Sequence, residues 1–274
     1  MSNLSETQKI HYTLRIASAM CLIGHGAFGI ITKPIWCNYF AVFGIGQDLA
    51  YRLMPLVGSF DIFLGILILV YPVRVIPAWL VVWGILTASL RPLSGEPFAE
   101  FIERAGNFGA PLVLLVVSGG PGQHVKNIFT PLSPGTPLDA KARGRLVLIL
   151  RVTAFLLLLG HGWLNVIGKK GLLGQYASLG FTDAGRTALV VGVFEMVAAL
   201  VVLIRPIRPM LLVLLAWKMT SELFYPHYEL FEWIERGGSY GVLLALWFAL
   251  DPGPLPAAGR KNFSGKSSSK PVPS

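Results

Sequence analysis

Apolar residues gather into eight runs along the chain, near 13–32, 55–71, 76–90, 106–119, 148–168, 188–204, 209–224 and 239–250. They are too long and too numerous to share one water-soluble core. The longer runs approach the roughly 20 residues a helix needs to cross a bilayer's hydrocarbon region, and the shorter would tilt or borrow flanking residues. Pro72, Pro77, Pro206 and Pro209 mark tight turns between runs two and three and between runs six and seven. The pattern predicts an all-α polytopic membrane protein with eight transmembrane helices.

The runs also repeat. Leu14 to Lys33, LRIASAMCLIGHGAFGIITK, resembles Leu150 to Lys169, LRVTAFLLLLGHGWLNVIGK, with Leu14/Leu150, Arg15/Arg151, Gly24/Gly160, His25/His161, Gly26/Gly162 and Lys33/Lys169 among the identities. Val57 to Asp61 matches Val191 to Glu195, and Trp83 matches Trp217. FAEFIERAGNFG, 98 to 109, matches LFEWIERGGSYG, 230 to 241, including Glu103–Arg104 and Glu235–Arg236. A duplication of whole units explains matches of this extent. An even number of crossings per unit makes the units parallel, as two parallel repeated four-helix bundles. The expected boundaries are a first unit 1–118, a cytoplasmic linker 119–144, a second unit 145–251 and a disordered basic tail 252–274. Trp36 to Tyr51 reads as an interfacial or re-entrant segment.

Composition sharpens this picture. Hydrophobic residues make up 54% and charged residues only 14%, far from soluble averages. The net charge of +9 does not come from a clustered basic domain, so nucleic acid is not the expected partner and membrane lipids are. Fourteen of the 23 Lys and Arg fall on the side that holds the N-terminus, which predicts a cytoplasmic (inner or plasma) membrane location with both termini cytoplasmic. Cys21 and Cys37 form no CxxC and are matched by Leu157 and Leu173, which argues against dithiol chemistry and thiolate metal sites. No metal and no nucleotide-binding glycine loop is expected.

The candidate chemistry lies in polar residues within these runs. Counting roughly 1.5 Å per residue from Arg15 and Arg74 places His25 and Asp61 at similar depth. His161 and Glu195 repeat the relation, and a carboxylate facing an imidazole can share its proton. Thr87 and Ser221 occupy matching places on the third run of each unit. Glu103–Arg104 and Glu235–Arg236 precede the fourth, with Asn107 and Ser239 just inside. The glutamates suit a helix N-terminus and a local ion pair. These groups are expected to converge in the outer half of each bundle. Lys33 and Lys169 read as interfacial anchors. Intramembrane ionisable residues are functional candidates by default, yet polar side chains flanked by glycine also join helices, so both readings stand here.

These residues resemble the DoxX/DoxD-like membrane proteins, compact four-helix units in which an HG motif followed by Lys ends the first span. His161–Gly162 with Lys169 or Lys170, Tyr176 to Gly180, and Glu195 carry the resemblance in the second half. His25–Gly26, Lys33, Phe40 to Gly44, and Asp61 carry it in the first. Asp61 in place of Glu and the fusion of two units depart from the pattern. The resemblance implies association with membrane redox systems, including thiosulfate and quinone chemistry. The expected function is then an accessory or quinone-linked subunit working with other membrane redox subunits. A small-solute or proton transporter built from parallel repeats and an assembly partner of other membrane proteins are the alternatives. The residues alone do not make the chain an enzyme.

Overall fold

The computed structural model describes residues 4–118, 128–134, 138–224 and 229–250. The tail from 252, and residues 119–127 and 135–137 of the linker, fall outside them. Twelve helices appear among the described residues: α1 Glu6–Ile30, α2 Trp36–Ala41, α3 Gln47–Val70, α4 Val75–Leu93, α5 Ala99–Glu103, α6 Ala105–Val117, α7 Ala140–Val166, α8 Lys170–Ser178, α9 Ala184–Ile204, α10 Arg208–Leu223, α11 Glu229–Glu235 and α12 Gly237–Ala249. The chain is all-α; the described residues form a single isolated β-bridge, Val73 with Pro131.

Local sequence explains the helix ends. Ser5 and Gln8 form a capping box at α1, while Asp139 and Asp183 accept from the Ala142 and Arg186 amides at α7 and α9. Gly168 at φ 66° and Gly180 at φ 86° turn the chain out of α7 and α8 in the left-handed region open to glycine. Within the stretch 36–51, α2 is a single short helix, and its last residues already belong to α3.

Five of these helices, α1, α3, α4, α7 and α9, are long and apolar enough to cross a membrane. Three expected crossings are shorter: α10 has 16 residues, and α6 and α12 have 13 each. The chain breaks at Arg104 and Arg236, so the segment leading into each last helix is a separate short helix, α5 or α11.

Both faces of α3 are apolar. Ala50, Met54, Gly58, Asp61, Leu64, Gly65 and Ile68 point inward, while Leu56, Phe60, Phe63 and Val70 are at least half exposed. On α9, Ala188, Gly192, Glu195, Ala198, Ala199 and Val202 point inward, with Val190, Val193, Val197 and Ile204 exposed. A helix apolar all round is suited to lipid on its outer side.

Helix α1 packs on α3, and α7 on α9. Contacts also run across the two halves: α1 packs on α11 and α12, α7 on α5 and α6, and α6 on α12. At one face, Arg143 bonds the Ala249 carbonyl at 3.0 Å and pairs with Glu6 at 3.2 Å. There the starts of α1 and α7 meet the ends of α6 and α12. Arg15 and Arg151 donate to carbonyls in the last turn of α3 (Ile68, Leu69) and of α9 (Leu203, Ile204).

Candidate functional site

Each histidine sits in a Gly-His-Gly whose glycines have separate steric jobs. A Cβ on Gly26 would lie 2.5 Å from the Gly58 carbonyl, and one on Gly162 would lie 2.8 Å from the Gly192 carbonyl. The second glycine therefore lets α1 and α3, or α7 and α9, approach backbone to backbone. A Cβ on Gly24 would lie 2.3 Å from the Glu235 amide, and one on Gly160 would lie 2.3 Å from the Glu103 amide. The first glycine thus admits the Glu–Arg segment of the other half.

That geometry changes one expectation. Most of the polar groups do gather within their own half, but the glutamates cross over: Glu235 lies beside His25, and Glu103 lies beside His161. Glu103 is also the last residue of α5, not the cap of α6, and no side chain caps α6 or α12. The bend at Arg104 aims the glutamate across the halves. The local ion pair does form, with Arg104 at 2.9 Å from Glu103.

Around His25 lies a cavity of about 180 Å³. Nδ1 of His25 is 2.7 Å from Asp61 Oδ2, and Trp83 Nε1 donates to the same oxygen at 3.3 Å. Asp61 Oδ1 is buried with no hydrogen-bond partner among the described residues. The His25 ring lies over Trp36, with centroids 4.6 Å apart and planes 34° apart, and meets Trp83 edge-on at 6.2 Å. Phe28, Tyr39, Phe40 and Phe43 extend the aromatic wall. Thr87, Asn107, Arg104, Glu235 and Lys33 supply the polar lining, together with Arg91, which the sequence reading did not single out. Thr87 spends its own proton on the Trp83 carbonyl at 2.9 Å.

A second cavity, about 230 Å³, lies at His161. Nδ1 of His161 is 2.5 Å from Glu195 Oε2, and Trp217 donates to Glu195 Oε1 at 2.9 Å, so both carboxylate oxygens have partners. Asn165 sits 3.3 Å from His161 Nδ1 and accepts from the Tyr176 hydroxyl at 2.7 Å. Ser221 lines the cavity, and its carbonyl accepts from Gln175 at 2.6 Å. Lys218 and Glu222, buried and 2.9 Å apart, stand where the first half has Gly84 and Ala88. Ser239 is buried against Gly106 where α12 crosses α6, which places it at the helix crossing instead of in a cavity.

Glu103, His161 and Glu222 can each bring one ligand atom within 4.8 Å of the others, the spacing of a metal cluster. Their oxygens are occupied by cations instead. Glu103 is held by Arg104 at 2.9 Å and Arg236 at 3.2 Å, and Glu222 by Lys218 at 2.9 Å and Arg236 at 3.7 Å. Fixed ammonium and guanidinium groups already supply the charge a metal would bring.

The two anchors bridge the halves as well. Lys33 lies 2.5 Å from Glu232 and Lys169 lies 2.5 Å from Glu100. Glu100 also meets Arg104 at 2.7 Å and Arg91 at 3.3 Å. Burial pushes this carboxyl up, but Arg104, Lys169 and Arg91 outweigh burial and hold it at about 2. Among the residues that sequence reading passed over, Glu100 and Glu232 were visible as a matched pair inside the FAEFIER and LFEWIER segments.

Fold and site together define a helical protein with apolar helices long enough for a membrane and two histidine–carboxylate pairs, one buried and one partly buried, each joined by a glutamate from the other half of the chain. Comparison with known proteins found no matching family model, no matching curated protein and no matching solved structure.

Proposed function

We propose that this chain is a DoxX-like integral membrane protein of two duplicated four-helix units, with eight crossings and both termini cytoplasmic. In this reading it is an accessory subunit that binds a quinone head group for a membrane redox system, whose partner subunits exchange the electrons. The observation that carries the proposal is the His25 cavity: a histidine with one nitrogen engaged by a carboxylate, its ring tilted over Trp36 and met edge-on by Trp83 in an aromatic wall. Apolar walls with a few placed polar groups suit a planar carbonyl ligand.

A bound quinone supplies two-electron, two-proton carbonyl chemistry. The chain's own residues do the rest. Asp61 accepts from Nδ1 and fixes the His25 ring, so that Nε2 is the nitrogen left to the cavity, an acceptor while the imidazole is neutral. Trp36 and Trp83 offer flat faces for the ring, and Trp83 also holds Asp61 in place. Arg91 and Arg104 line the cavity and favour any negative charge that develops on a carbonyl oxygen.

The test is titration of the detergent-solubilised protein with a short-chain ubiquinone analogue, following tryptophan fluorescence, beside native mass spectrometry of the gently solubilised sample. Saturable quenching that is lost in Trp36→Leu and weakened in His25→Ala, with a co-purified quinone in the wild type, supports the reading. Quenching unchanged in both variants overturns it.

A further inference from the structure

We propose that the first half carries a proton path from the face where α1 starts to the His25–Asp61 pair, and that the second half has none. The path is a stripe on α1. Thr7, His11, Ser18 and His25 follow at spacings of four, seven and seven, one or two turns of helix, so all four share a face. Thr7 is 6% exposed, and His11 and Ser18 are fully buried. His11 Nδ1 lies 3.0 Å from the Ser118 hydroxyl, and Arg74 donates to the Ser118 carbonyl at 2.9 Å.

Three buried polar atoms along this line have no hydrogen-bond partner among the described residues: His11 Nε2, Ser18 Oγ and Asp61 Oδ1. Leaving one such atom unsatisfied is costly, and three on one route through an apolar bundle call for a polar partner that reaches all of them. Water is the partner that buried polar groups recruit, and imidazole, hydroxyl and carboxylate can each accept a proton and pass it on. His11, Ser18 and His25 follow one another at about 10 Å along the helix, and Thr7 lies about 6 Å before His11, so transfer runs through intervening water. A proton from the aqueous side adds at His11. It moves by successive O–H and N–H exchange past Ser18 and reaches Asp61 Oδ1 or His25. No electron moves, and no heavy-atom bond changes. The His25 cavity, whose wall includes the exposed Phe43, continues the route to the opposite face.

The second half shows what the path requires, because it lacks each part. Arg143, Val147 and Ala154 stand at the places of Thr7, His11 and Ser18, and both oxygens of Glu195 are engaged. The orphan at Asp61 arises from its shorter side chain: Trp83 and His25 both reach the one oxygen, Oδ2.

This inference goes beyond the quinone reading, and its test needs no quinone. The full-length protein is reconstituted in vesicles containing pyranine, and a potassium diffusion potential is imposed with valinomycin. Wild-type vesicles should take up protons severalfold faster than protein-free vesicles. Ser18→Ala should return uptake to the protein-free rate, at equal protein content and unchanged melting temperature; Ala154 already fills the matching place in the other half. His11→Val, copying Val147, should do the same. Wild-type uptake no faster than protein-free vesicles overturns the proposal, as does undiminished uptake in Ser18→Ala. Fluorescence titration with the quinone analogue reports separately on the His25 cavity, so the two readings can fail independently.

Discussion

The His25 and His161 sites are built on matching positions, yet they differ in how completely their polar atoms are satisfied. At His161 the carboxylate has a partner on each oxygen, and Asn165 and Tyr176 extend the hydrogen-bond chain. Lys218, Glu222, Arg236 and Glu103 close into a buried ion network beside it. At His25 the lining is aromatic, Gly84 and Ala88 replace the Lys–Glu pair, and Asp61 keeps one oxygen unmatched. A satisfied polar network rigidifies its surroundings, whereas an unsatisfied one marks a place where a ligand or water gains most by binding. The lesson is that Asp for Glu, one methylene, leaves an oxygen unmatched, and that the loss of the Lys–Glu pair and of the Asn165–Tyr176 chain leaves the site around it receptive where its counterpart is locked.

The comparison can be broken most forcefully at the glycines. Gly24→Ala and Gly160→Ala would each drive a Cβ into a backbone amide 2.3 Å away, where no side chain can move aside. Both should abolish accumulation of folded protein, measured as monodisperse protein after detergent extraction. Folded protein from either variant would show that the cross-half contact is dispensable.

A smaller effect is expected at Glu100. Removing one partner from a buried ion cluster costs about 3–5 kcal/mol, so Glu100→Gln should lower the melting temperature markedly by leaving Lys169 and Arg104 undercompensated. Its pH dependence has a definite sign. The carboxyl is held at about 2, below its ordinary value of 4.5, so its stabilisation is present above pH 4.5 and is lost as pH falls from there toward 2. Thermal unfolding across that window should steepen the acid loss in wild type relative to Glu100→Gln. Equal acid slopes would remove Glu100 from the network's account.

The smallest effect sharpens the comparison itself. Glu195→Asp should lose the Trp217 bond and destabilise by about 0.5–1.5 kcal/mol, while Asp61→Glu should gain a partner for its free oxygen and leave stability level or higher. Opposite signs in a chemical unfolding series support the account above, and equal losses contradict it.

Much of this was legible in the sequence. Long apolar runs fixed the all-helical class, because no other pattern of that length pairs every backbone group in an apolar setting. Depth counting brought His25 to Asp61 and His161 to Glu195 because a helix rises by a fixed step. What depth counting cannot carry is rotation about the bundle. Glu103 and Glu235 share a level with both histidines, and only the bend at Arg104 and Arg236 decides which one each faces. The first glycine of each Gly-His-Gly held that information, since a residue without a side chain records a close neighbour but not its identity. Lys218 and Glu222 were passed over because they break the match with Gly84 and Ala88, and attention to repetition hides what differs. His11 and Ser18 were passed over for the same reason: their spacing by sevens has no echo in the other half.

The crossing of the two Glu–Arg segments also sets an order for biogenesis. The ribosome completes His25, Asp61 and Trp83 early, but the segment that seats against Gly24 is made more than 200 residues later, at Glu235. The first half therefore waits, unfinished at its centre, until nearly the whole chain has been synthesised. By then Gly160 has received Glu103, so the second half is built onto a surface the first has provided. A product truncated before α11 would lack both the backbone that seats against Gly24 and the Glu232 carboxylate that Lys33 reaches.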